Sequence, residues 1–250
     1  MSNKRKFLKF LFDKAVAAVQ PANFIAEHLP SYPQGKTIVI GAGKAAASMA
    51  RAVEDNWTAE LSGLVITPYK HSLACERIEV VEAAHPIPDS SGFNAARRIL
   101  TMVEDLSAKD LVICLLSGGG SALLSIPAEG IRLQDKQSLT AELIRSGATI
   151  TEINCVRKHL SAIKGGRLAA ACSPAQILTL AISDVPGDDA TVIASGPTVA
   201  DPTTFAEARA ILDKYGVAAP DPVTRYLGVA AEETPKPGDA AECRWKEIPV

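Results

Sequence analysis

The 250-residue chain is poor in aromatic residues, at 5%, and carries no surplus of either charge: 26 Lys+Arg stand against 28 Asp+Glu, a formal net charge of -2. That balance removes the electrostatic footprint of a protein that binds nucleic acid or a membrane surface. The five cysteines, Cys75, Cys114, Cys155, Cys172 and Cys243, are odd in number and include no CxxC pair. This excludes a disulfide framework or zinc site as the organising feature and favours reduced, buried thiols in a cytoplasmic protein. No apolar run reaches the roughly 18 residues of a transmembrane span. The basic start Lys4-Arg5-Lys6 is followed by a stretch broken at Lys9, Asp13 and Lys14, so it reads as an amphipathic helix over about 4–28 rather than a signal peptide. Two catalytic signatures are missing as well: no GxxxxGK[ST] phosphate loop and no GxSxG nucleophile elbow occur.

What the chain does have is aliphatic bulk, with 47% hydrophobic residues dominated by Ala, Val, Leu and Ile. At this length a folded chain hides roughly 70% of its unfolded surface, enough for a core without staples. Short apolar runs fall at Thr37–Ile40, Gly63–Thr67, Ile78–Val81, Leu111–Leu116 and Ile177–Ile182, separated by helical patterns that include about 132–146 and 149–170. Strands apolar on both faces, alternating with helices, predict an α/β fold with a mostly parallel sheet covered by helices on both sides. Ligands of such sheets bind beyond the carboxyl ends of the strands, and the unusual loops of this sequence fall there.

The first loop, Gly41-Ala42-Gly43-Lys44-Ala45-Ala46, matches GxGxxA, a weak signal alone. A dinucleotide site wants an acid about 20 residues on, but the end of the second strand reads Thr67-Pro68-Tyr69-Lys70-His71. The second loop, Ser117-Gly118-Gly119-Gly120-Ser121, offers adjacent glycines and flanking hydroxyls, the makings of an anion nest or of a permissive turn. In Asn154–Leu168, helical spacing places Arg157, Ser161 and Lys164 on one face, a grip for phosphate or carboxylate or else a solvated basic face. The fourth loop, Ser183-Asp184-Val185-Pro186-Gly187-Asp188-Asp189, concentrates carboxylates that can hold Mg²⁺, position a hydroxyl, or simply cap a turn.

Together with His85-Pro86-Ile87-Pro88-Asp89, Lys164-Gly165-Gly166-Arg167-Leu168-Ala169 and Ser195-Gly196-Pro197-Thr198, these motifs resemble, in the same order, the glycerate 2-kinase family, whose members have often been labelled hydroxypyruvate reductases. The resemblance covers roughly residues 5–238. It implies a Rossmann-like three-layer amino-terminal domain over 1–238, and ATP-dependent phosphorylation of D-glycerate to 2-phosphoglycerate with a divalent metal such as Mg²⁺. It also implies a second domain, which this chain is expected to lack; residues 239–250 read as a short tail. From the chemistry of these strand-end loops, Lys44, Arg157, Lys164, Asp184 and Asp189 are the expected catalytic residues. Gly41, Gly43, Ser117, Gly118, Gly119, Gly120 and Ser121 are the expected cofactor-binding residues, and Asp184 and Asp189 the metal ligands. An NAD(P)H-dependent hydroxypyruvate reductase and an inactive anion-binding remnant remain the alternatives. The oligomeric state stays open, a homo-oligomer included.

Overall fold

The apolar runs of the sequence become the central strands of a computed structural model that describes residues 3–229, 232–239 and 243–247. In chain order the elements are α1 (Asn3–Ala18), α2 (Ile25–His28), β1 (Thr37–Ala42), α3 (Ala46–Asn56), β2 (Ser62–Pro68), β3 (Ile78–Ala83), α4 (Ser90–Met102), β4 (Leu111–Ser117), α5 (Gly120–Leu123), α6 (Leu133–Arg145), α7 (Ile150–His159), α8 (Arg167–Cys172), β5 (Gln176–Ile182), α9 (Phe205–Tyr215), α10 (Asp221–Val229) and β6 (Cys243–Glu247). Among the described residues the six strands form one sheet in the order β3-β2-β1-β4-β5-β6, every pair parallel. This is the doubly wound Rossmann order, whose direction of winding reverses between β1 and β4. The sixth strand lies within the stretch expected to be a short tail and pairs with β5, Ile177 opposite Cys243 through Ala181 opposite Glu247.

The period-two geometry of strands sends alternate side chains to opposite faces. Ile38, Ile40, Ala42, Val112, Cys114 and Leu116 join the core beneath α4 and α8, while Val39, Ile113 and Leu115 join the core beneath α3. The result is three layers, helix on sheet on helix, each face buried under apolar cover. A third cluster, built from α6, α7, α9 and α10, packs Leu139, Leu143, Val156, Phe205, Leu212 and Leu227 together. Asp89 caps α4, its carboxylate accepting from the Gly92 N–H at 2.9 Å.

Two expectations about helices need correction. The first helix ends at Ala18, and Pro21 opens a separate short 3-10 turn before α2, because a proline ring cannot continue the preceding helix. None of the residues of α1 is buried, so its apolar positions face no core. The helix expected over 149–170 is likewise two helices: α7 stops at His159, and α8 begins at Arg167. Between them Ser161 turns the chain, its hydroxyl donating to Ile126 O at 3.0 Å and accepting from Ile163 and Lys164 N–H at 3.3 Å each. Arg157 and Lys164 therefore do not share a helix face.

One buried carboxylate fixes the start of β3. Glu54, on α3, accepts backbone N–H bonds from Glu76 (2.8 Å), Arg77 (2.5 Å) and Ile78 (2.9 Å). Burial pushes its pKa up, but the three N–H donors and the Arg77 charge outweigh burial and leave it below the ordinary glutamate range. A depressed folded-state pKa contributes stability that is present above the unfolded value, about 4.3, and is lost as pH falls through the folded one. Glu54→Gln turns an NH₂ group toward those donors and is expected to cost about 1–3 kcal/mol near neutral pH. Urea unfolding should show that difference shrinking as pH drops below about 4; a pH-independent difference would overturn the assignment.

Candidate active site

The strand order brings the turn after β1 beside the glycine loop after β4, at the crevice where winding reverses. The two are joined by backbone: Lys44 N–H donates to Gly118 O at 2.9 Å, and Ala45 N–H to Ser117 Oγ at 3.0 Å. Gly41 and Ala42 still belong to β1, so the turn begins at Gly43, whose carbonyl accepts from Thr67 Oγ1 at 3.2 Å. The Lys44 side chain is exposed at the mouth of the crevice.

Side chains from three other loops close on the glycines. A Cβ at Gly118 would lie 2.2 Å from Asp184 Oδ2, so the Asp184 carboxylate rests against the loop backbone. A Cβ at Gly119 would lie 3.0 Å from the His85 ring and 3.6 Å from Lys44 Cγ. Partial burial first, then the Lys44 charge, lowers the pKa of His85, with Asp184 opposing. The imidazole is thus neutral near pH 7, able to donate from one nitrogen and accept at the other. Lys44, His85 and Asp184 are brought together around Gly118–Gly120. His85 was visible in the sequence as part of a motif but carried no assigned role; its neighbours became apparent only with the strand order.

The hydroxyls fall on the opposite flank. Ser121 Oγ and Ser195 Oγ share a hydrogen bond at 2.7 Å, and Ser195 Oγ donates to Asn154 Oδ1 at 3.2 Å. Ala194 (φ 51°) and Ser195 (φ 63°) are left-handed without being glycine, a conformation that costs of order 1–3 kcal/mol per residue and concentrates at functional sites. Gly165 and Gly166 N–H hold this turn by donating to Ser195 O at 3.2 Å and Gly196 O at 2.8 Å. Asp189 sits in its own turn, where Oδ1 accepts from Thr191 N–H at 2.8 Å and Thr191 Oγ1 at 2.7 Å. Among the described residues no group of three or more His, Cys, Asp or Glu side chains forms a metal cage. A Mg²⁺ ion needs no such cage, since it commonly takes one or two carboxylates with waters and phosphate oxygens. Asp184, a carboxylate against a glycine loop, fits that donor set.

Beyond His85 and Gly119 the crevice opens into a cavity of about 790 Å³ between the 85–88 loop and α6, reached also by Arg157 and Lys164. Lys164 is buried, and its ammonium donates to Ser121 O (2.7 Å) and Leu124 O (2.9 Å), satisfying carbonyls at the end of α5. Burial, then Lys136 and Arg157, drives its pKa well below the usual lysine range. Burial also lowers the pKa of Arg157. A third cation, Lys136 of α6, lines the same cavity and was not singled out in the sequence.

The architecture is that of a Rossmann-like α/β domain with a cationic, glycine-lined crevice at its switch point. Residues 7–228 match the model of a domain of unknown function, DUF4147. A protein of Agrobacterium vitis, provisionally named as a hydroxypyruvate reductase, is 51% identical over 238 residues, 95% of this chain and 54% of its own length. The D-glycerate 2-kinase of Thermotoga maritima is 43% identical over 225 residues, covering 89% of this chain and 53% of the kinase. The crystal structure of a glycerate kinase from that organism superposes with a TM-score of 0.86 at 41% identity, over 93% of this chain and 56% of that one. The chain belongs to the glycerate 2-kinase family and matches its amino-terminal domain. It spans about half the length of the curated relatives it matches.

Proposed function

We propose that the chain serves ATP-dependent phosphorylation of D-glycerate to 2-phosphoglycerate. The observation that carries this reading is the convergence of Lys44, His85 and Asp184 on the Gly118–Gly120 loop at the switch point between β1 and β4. Phosphoryl transfer asks a protein mainly for positioning and for neutralisation of charge on the transferred group. Lys44 and the N–H groups of Gly118, Gly119 and Gly120 bind phosphoryl oxygens, and Ser117 and Ser121 shape the loop. Arg157 and Lys164 neutralise the transferring group or clamp the acceptor acid. Asp184 holds Mg²⁺ or accepts the proton of the 2-hydroxyl, with Asp189 contributing from its adjoining turn. When bound, the metal supplies charge neutralisation on the phosphates. His85, neutral before the reaction, can take a proton at one ring nitrogen, becoming an imidazolium, or hand one on from the other.

The end of β2 supports a kinase over a reductase: where a dinucleotide site wants a ribose-binding acid, buried Thr67 instead donates to Gly43 O. The two activities separate in one assay. ADP formation dependent on D-glycerate and Mg·ATP is expected. NAD(P)H oxidation with hydroxypyruvate and no ADP release would overturn the kinase reading, and binding of both kinase substrates without turnover would favour an inactive remnant.

A further inference from the structure

The cavity under α6 holds a buried cation, Lys136, that the kinase roles above do not use. Its lining includes Lys136, Arg145, Arg157, Lys164 and His85 but no aspartate or glutamate. No ion pair among the described residues engages Lys136, Arg157 or Lys164. Lys136 is 6% exposed, and its ammonium nitrogen is buried with no hydrogen-bond partner. An ammonium has three donors, and hiding all of them unpaired is costly. Lys164 spends two of its own donors on Ser121 O and Leu124 O, which leaves one. A stability argument alone would put methionine or leucine at position 136.

We infer that Lys136, with Arg157 and Lys164, forms an oxyanion subsite in this cavity that holds a carboxylate or phosphate group of a small-molecule ligand. The ligand's negative oxygens supply the partners that the protein withholds, through charge-assisted hydrogen bonds. The inference deepens the kinase reading and rests on it only for the source of the anion, which is either the acceptor acid's carboxylate or a nucleotide phosphate. Burial, then Arg157, lowers the pKa of Lys136 to about 7. The other titratable groups lining the cavity are His85, Arg145, Arg157 and Lys164, none of them acidic, and of these the Arg157 charge acts on Lys136 and the Lys136 charge on Lys164. An oxyanion arriving near pH 8 therefore draws a proton onto Lys136.

The test uses the 250-residue chain and its Lys136→Met variant, titrated by calorimetry with D-glycerate and, separately, with inorganic phosphate and ATP. Lys136→Met should weaken at least one of these anions ten-fold or more and diminish the proton uptake read from buffers of different ionisation enthalpy. Its melting temperature should stay level or rise, because a buried amine without a hydrogen-bond partner has been removed. Loss confined to D-glycerate assigns the subsite to the acceptor's carboxylate, and loss confined to phosphate and ATP assigns it to the nucleotide. Unchanged affinity for all three anions, no binding of any of them by the parent chain, or a fall in melting temperature that marks Lys136 as structural would each overturn the inference. ADP formation is read in parallel. An anion-binding loss with no turnover in either protein leaves the subsite standing and removes the kinase reading alone.

Discussion

Replacing Lys44 with alanine is expected to reduce D-glycerate-dependent ADP formation by about 100-fold or more, the usual cost of deleting one preorganised donor to charge developing in a transition state. The side chain stands exposed at the crevice mouth beside Gly119, with Cγ 3.6 Å from where a Cβ on that glycine would be. Its backbone, not its ammonium, joins the two loops, through the N–H bond to Gly118 O. Alanine keeps that bond. Stability should therefore change by no more than about 0.5 kcal/mol, as for surface positions without a special backbone role. The loss should fall on kcat, with KM for D-glycerate changing little, if the charge acts on the transferring phosphoryl group rather than on acceptor binding. A rise in KM at constant kcat would instead place Lys44 on the acceptor's carboxylate. Near-normal values of both would remove Lys44 from the machinery and, with it, the central support for the kinase assignment.

The sheet was legible because its signal is local. Leu111–Leu116 is apolar at every position, and a run of that length between helical patterns has few other uses; β4 proves only one residue longer. The loops that follow β1, β4 and β5 were marked by residues that sheets rarely tolerate, so Lys44, Gly118 and Asp184 could be named before any strand order was known. What could not be read depends on tertiary placement. The break after His159 lies in a stretch of acceptable helix formers, and it arises because Ser161 bonds to Ile126, 35 residues earlier. Lys136 looks like any polar residue on a helix that also carries Gln134, Gln137 and Glu142. Only the packing of α6 beside Arg157 and the 85–88 loop hides it. His85 had the reverse problem: its motif was conspicuous, but its approach to Gly119 required the loop after β3 to reach across to the switch point.

Gly43→Ala should be the most destabilising single-methyl change in the crevice, at about 3–5 kcal/mol, the sum of left-handed backbone strain and overpacking. Gly43 has φ +146°, and a Cβ there would sit 2.1 Å from Ser117 Oγ and 2.6 Å from Ser117 O. Neither atom can retreat freely. The carbonyl belongs to the end of β4, and the hydroxyl already accepts the Ala45 N–H bond that starts the chain toward α3. The methyl group must therefore push the first loop away from the second, at the place where both have to hold a ligand. Gly147→Ala is the matched control: its φ is +82°, but no atom lies within 4 Å of the new Cβ, so only backbone strain of about 1–2 kcal/mol applies. Urea unfolding of the two variants separates steric overlap from strain. Against an ordinary domain stability of about 5–15 kcal/mol, Gly43→Ala should remove a large fraction and leave the folded remainder with impaired anion binding. Equal losses in the two variants would mean that the β1 and β4 loops can part without cost, and a crevice so easily opened could not hold Lys44 against the glycine loop.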